Sequence, residues 1–207
     1  MEILDPRAHM PQVVLLKLLK GRLKKPIIVI IAVCVLACAF FVHDASVVGK
    51  ELDSYKGVTV YYNGIIYVRT YGQNYSDSGY YYGYKWQCVE YIKRFYFEAK
   101  NHGMPDGLGN AKDFFDPSVG QGELNASRGL AQYRNGGDVP PQPDDLLVFN
   151  DRKYGHVAIV VEVAENHIEV IQQNVLGKTR DRLLLKVEGG KYFVGKARKP
   201  AGWLRLE

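Results

Sequence analysis

The chain has 207 residues, 47% hydrophobic and 24% charged, a globular balance that excludes a disordered or low-complexity protein. The net charge of +5 is unevenly spread: Arg7, Lys17, Lys20, Arg22, Lys24 and Lys25 against Glu2 and Asp5 give the first 42 residues +4 and leave the rest near neutral. A near-neutral body argues against nucleic acid as a partner. Of the three cysteines, Cys34 and Cys38 sit in an apolar run and Cys88 stands alone, so the spacing offers neither a disulfide within the body nor a metal site, and no cofactor is expected.

Residues 1–9 read as a leader foreign to the rest of the chain, with Met10 as the natural start. Residues 26–42 (PIIVIIAVCVLACAFFV) carry no charge and come after the basic flank, so residues 10–43 read as a transmembrane signal anchor. Sixteen residues after Pro26 span about 24 Å as a helix, against a hydrocarbon core of about 30 Å, a deficit that local bilayer thinning absorbs. Positive residues stay on the cytoplasmic side, so the body is expected outside an inner or cytoplasmic membrane. A cleaved signal peptide is one alternative. A lipoprotein signal is another, because Val35-Leu36-Ala37-Cys38 loosely resembles a lipobox, although the apolar residues 39–42 fit it poorly. Residues 44–59 read as a linker, and residues 60–207 as one domain.

Residues 60–83 are rich in Tyr and Gly, with turn signals that suggest a hairpin over 61–71. Val89, Ile92, Tyr96 and Ala99 recur at helical spacing and Asn101 and Gly103 come next, which predicts a helix over 88–100. Residues 106–143, polar and rich in Gly and Pro, read as a long surface excursion with one short helix near 111–115. Strands are predicted at 146–149, 156–163, 167–173, 182–187 and 192–197, joined by short turns as an antiparallel meander. A helix followed by strands makes the fold class α+β.

A cysteine nucleophile needs a base, a group that orients the base, and donors for an oxyanion. Cys88 opens the clearest helix, where free N–H groups and the dipole favour a thiolate, and its own N–H is a natural oxyanion donor. Gln87 is the candidate second donor. His156 starts an apolar strand. A three-residue turn between Val163 and His167 makes paired positions sum to 330, which sets His156 opposite Asn174 and Ala158 opposite Gln172. Gln172 and Asn174 then share the face of His156, and either amide can accept the ring N–H and fix the tautomer.

The string Gly83-Tyr84-Lys85-Trp86-Gln87-Cys88-Val89-Glu90-Tyr91 resembles the nucleophile motif of CHAP-domain amidohydrolases, within them most the amidase half of bifunctional glutathionylspermidine synthetase/amidase. Leu146 to Phe149, Gly155 to Val160, and Gln173-Asn174-Val175 match the rest of the pattern in order, over about residues 60–200. The resemblance implies a papain-like CHAP fold, with Cys88 as nucleophile on a helix packed against an antiparallel sheet that bears His156 as base. It departs in two places. Gln172 stands where the glutathionylspermidine amidases have Glu, and Pro143-Asp144-Asp145 replaces an expected Pro-Gly-Asp. The expected activity is amide hydrolysis in bacterial peptidoglycan by a membrane-tethered enzyme. The alternatives are amide hydrolysis of a small glutathione–polyamine conjugate, or a weakened module that binds without turnover. Oligomeric state is not legible.

Overall fold

The computed structural model describes the backbone of residues 12–207 and side chains from Lys25 onward; the leader expected at residues 1–9 lies outside the described residues. The chain divides into two units, Met1–Ser46 and Val47–Glu207. Helix α1, Gln12–Val47, runs 36 residues with Pro26 inside it. Its segment Lys25–Val47 holds an 18-residue window with a mean hydropathy of 2.8, and is long and apolar enough to cross a membrane.

The second unit opens with two hairpins, β1 (Glu51–Tyr55) with β2 (Val58–Tyr61), and β3 (Gln73–Tyr75) with β4 (Tyr81–Tyr84). The linker expected at 44–59 is therefore partly core: Val58 is buried, and the Tyr55 ring stacks on Phe95 at 5.6 Å. The hairpin expected over 61–71 is instead irregular chain. Its Gly and Asn turn signals serve loops, and the β-branched alternation that builds the first hairpin lies just upstream, in Val58-Thr59-Val60.

Helix α2, Cys88–Lys100, ends at Asn101, whose φ of 51° is a left-handed cap; the N–H of His102 returns to the Tyr96 carbonyl at 2.9 Å. Tyr91, Ile92, Phe95 and Tyr96 are buried, and α2 packs on β2, β4 and the main sheet. A short 3-10 helix comes next, Ala111–Phe114.

The main sheet has eight antiparallel strands: β5 (Glu123–Asn125), β6 (Leu130–Arg134), β7 (Leu146–Phe149), β8 (His156–Val163), β9 (His167–Ile171), β10 (Arg180–Glu188), β11 (Lys191–Val194) and β12 (Gly202–Arg205). Their order is β11-β10-β9-β8-β7-β12-β6-β5. The meander β7 to β11 matches the sequence expectation. The surface excursion expected over 106–143 does not hold throughout, because β5 and β6 lie within it and Leu130, Ala131, Gln132 and Tyr133 are buried. Strand β6 pairs with β12, a partner some seventy residues away, which local turn signals cannot announce.

Odd positions of β8 (Val157, Ile159) pack with α2, and even ones (Ala158, Val160) pack with Trp203, Ile168 and Val170 on the opposite face. Both faces are thus covered, which explains the nearly unbroken apolar run of β8. The departure at Pro143-Asp144-Asp145 also has a structural reading. Asp144 occupies a left-handed position, φ 76°, the conformation that a glycine favours. Its carboxylate meets Lys56 at 2.5 Å and Lys100 at 2.8 Å, so two cations tie down the strained residue.

Candidate active site

The N-terminus of α2 and the first residue of β8 open on one cavity of about 910 Å³ within the second unit. Its lining includes Cys88, His156, Gln172, Gln173, Asn174, Gln87 and Asn63. The chain reaches Cys88 through a tight turn. Trp86 has φ 65°, left-handed for a bulky residue, and the Gln87 N–H returns to the Tyr84 carbonyl at 3.1 Å. This turn sets the first N–H groups of α2, which lack helical acceptors, around the sulfur.

Cys88 is half-buried. Burial pushes its thiol up to about 11, while the backbone N–H groups of Val157, Val89 and Cys88 itself, together with the charge of Arg198, pull the other way. Val157 directly follows His156, so the thiol lies beside the start of β8.

His156 is only 7% exposed, and burial holds its imidazole down to about 4. Its Nε2 meets Gln172 Oε1 at 2.9 Å. The Gln172 amide nitrogen donates to the Lys178 carbonyl at 3.4 Å, so the amide presents its oxygen to the ring. An oxygen acceptor requires the proton on Nε2, which leaves the lone pair on Nδ1. Gly155, with φ 73°, precedes the histidine; a Cβ there would stand 2.5 Å from the Lys112 nitrogen and 2.6 Å from the Phe149 carbonyl oxygen. Only glycine permits this close approach of the loop.

Burial shifts both groups towards their neutral forms, the thiol upward and the imidazole downward. The carboxamide at Gln172 cannot compensate an imidazolium charge. In Gln172→Glu, the carboxylate is expected to move the His156 midpoint upward by about one to three pH units, read by NMR titration of its ring protons. An unmoved midpoint would show that burial alone sets it.

Stability depends on the same group. Unfolded histidine titrates near 6.5 and the folded one near 4, so between those values the unfolded chain binds the extra proton. Stability is therefore present above about 6.5 and falls as pH drops to about 4, by about 3 kcal/mol for this residue. Urea melts of the protein and of His156→Gln across that window check this: the slope with pH should flatten in the variant.

The other candidates are held differently. Paired positions sum to 330 at Ile159–Ile171 and Val160–Val170, and shift by one beyond a bulge before Glu162. The chain leaves the ladder after Ile171, and the Gln172 N–H goes to the Thr179 carbonyl at 2.8 Å. Asn174 therefore does not stand opposite His156. At φ 64°, it accepts from the Asn63 amide at 2.8 Å and donates to Gln87 Oε1 at 2.6 Å and to the Tyr67 carbonyl at 2.9 Å. The Gln87 amide nitrogen in turn donates to the Tyr67 and Arg69 carbonyls at 3.2 and 2.9 Å, so both of its protons are committed to that loop.

A second set of residues escaped the sequence reading. Gln173 accepts the Tyr61 N–H at 2.8 Å, and donates to the Gln87 carbonyl at 3.0 Å and to Glu90 Oε2 at 2.7 Å. Glu90 Oε1 accepts from Arg94 at 2.7 Å and Asn74 at 2.8 Å, and Arg94 reaches the Thr59 carbonyl at 2.7 Å. This buried network locks the first turn of α2 to β2 and β3. Glu90 and Gln173 stand in two of the matched motifs, but nothing there announced their contact, and the Glu90–Arg94 spacing usually marks a solvated helix face.

Comparison with known proteins agrees with this geometry. Residues 79–174 match the CHAP domain. Over 106 residues, half of the chain, the protein is 27% identical to "Trypanothione synthetase" of Crithidia fasciculata. Over 102 residues, 46% of the chain, it is 31% identical to "Bifunctional glutathionylspermidine synthetase/amidase" of Escherichia coli (strain K12), and equally to that of Shigella flexneri. In each case the match spans 16% of the relative's own length. Residues 79–174, with the helix of Cys88 packed on the sheet of His156, are therefore a CHAP cysteine amidase domain.

Proposed function

We propose that this protein is a membrane-tethered cysteine amidohydrolase that opens amide bonds in bacterial peptidoglycan. The observation that carries the chemistry is the His156–Gln172 bond, because it puts the lone pair on Nδ1 in the cavity that also holds Cys88. Cys88 gives its proton to Nδ1, and the thiolate sulfur bonds to the amide carbon. The carbonyl oxygen takes the negative charge and the Cys88 N–H stabilises it. His156 returns the proton to the amine nitrogen, the C–N bond breaks, and a thioester remains. Water, deprotonated by His156, then releases the acid and restores the thiol. Gln172 positions the imidazole. Asn174 acts one step away, by fixing Gln87 and the loop beside the nucleophile. Gln87, an expected oxyanion donor, would first have to release the Tyr67 and Arg69 carbonyls, so the backbone N–H takes the donor role.

The substrate reading is supported by helix Lys25–Val47 and the basic residues before it, which favour a body outside the membrane, on the side of the cell wall. The second reading is a glutathionylspermidine-type amidase, favoured by the name of a relative. The full chain in detergent, with Cys88→Ala beside it, is to be incubated with purified peptidoglycan and the products weighed by mass spectrometry. Fragments that depend on Cys88 support the cell-wall reading and identify the bond. No fragments from a folded protein would remove it; turnover of glutathionylspermidine would then favour the second reading.

A further inference from the structure

The walls of the cavity differ in charge. Arg152, Lys153, Lys178 and Arg198 line it, and no Asp or Glu does. Two of these cations are compensated outside the lining: Arg198 meets Asp151 at 3.0 Å, and Lys178 meets Asp181 at 2.7 Å. Arg152 and Lys153, both exposed, join none of the ion pairs among the described residues, and Lys153 lies over the Tyr154 ring at 5.2 Å.

All four cations stand on the imidazole side. Arg152 and Lys153 belong to the loop that ends at His156. The Arg198 guanidinium lies 4.5 Å from the centre of the Phe149 ring, and Phe149 is the ladder partner of His156. Lys178 supplies the carbonyl that orients Gln172. The charges of Arg152 and Arg198 are both felt at the imidazole, opposed there by Asp151, and that of Arg198 reaches the Cys88 thiol as well. On the α2 side the lining is uncharged: Asn63, Tyr67, Tyr84 and Gln87.

In a thiol amidase the imidazole protonates the departing nitrogen, so the amine half of the substrate leaves on the imidazole side. We infer that this amine half carries a carboxylate, as an amino acid or peptide does, and that Arg152 and Lys153 are the residues that attract it. The inference rests on the amidase reading and narrows it. A polyamine leaving group would bring positive charge against a wall that keeps a net positive charge through Arg152 and Lys153, whereas an amino-acid leaving group brings the opposite charge.

The test needs no known substrate. Two methanethiosulfonates, one bearing a sulfonate and one a trimethylammonium group, are reacted with the full chain in detergent, and labelling of the Cys88 peptide is timed by mass spectrometry. Relative to a free cysteine derivative, the anionic reagent is expected to gain about tenfold over the cationic one. That advantage should shrink towards unity in 1 M salt, where the screening length is about 3 Å, and fall several-fold in Arg152→Gln/Lys153→Gln. The salt titration of the unaltered protein stands even if the double variant does not fold. Equal rates, a preference for the ammonium reagent, or no labelling by either would overturn the inference. Peptidoglycan turnover with equal labelling rates would overturn it alone, and a tenfold ratio without turnover on any amide would instead overturn the amidase reading.

Discussion

Replacing His156 with Gln is expected to lower amide turnover by at least about 10^4-fold. The reason is that neither of the other two histidines of the second unit can take its place. His102 is committed to the Arg128 carbonyl at 2.8 Å, beyond the far end of α2. His167 pairs with Asn166 at the opposite end of the β8–β9 hairpin. Gln cannot accept a proton, and a thiol raised to about 11 stays protonated at neutral pH without a base beside it. Steady-state rates on the substrate identified by product analysis, with Cys88→Ala as the floor, check this. A variant that keeps a tenth of the activity would show that the thiol is activated by the α2 N-terminus alone.

The largest expected loss of stability comes from Glu90→Ala. Glu90 is fully buried, and it is the acceptor for Arg94, Asn74 and Gln173 at once. Removing the carboxylate strands a guanidinium that is 6% exposed and two amide groups, a change that costs about 3–5 kcal/mol. Urea unfolding measures this directly. Replacing both members, Glu90→Met with Arg94→Met, is expected to recover part of the loss, because no charge is then left buried alone. A Glu90→Ala cost under about 1 kcal/mol would mean that water enters the network and replaces the carboxylate.

How far the sequence reached depends on how local each feature is. α2 and the meander from β7 to β10 come from periods of three to four and of two within short windows, so their bounds fell close to those observed. That Gln172 shares a face with His156 was legible for the same reason, since it needs only a turn length and an alternation, but which of Gln172 and Asn174 meets the ring was not. The position of Asn174 was not, because the ladder ends at Ile171 and the chain turns away two residues before it. β6 and β12 were missed because each pairs with a partner far away in sequence, and β5, an edge strand of three residues, is too short to show an alternation. The Glu90 network was hidden for a related reason: a charged pair on a helix looks solvated until β2 and β3 are known to cover it.

The place of β12 has a bearing on how the protein is made. Gly202–Arg205 sits between β7 and β6, so it closes the gap between two parts of the sheet that the chain produces earlier. Until the ribosome has released residue 205, β7 and β6 each present an open row of backbone donors and acceptors. The sheet cannot finish folding before residues 202–205 have emerged. The strand that completes β6 comes some seventy residues after it, so the two parts of the sheet stay apart through that length of synthesis.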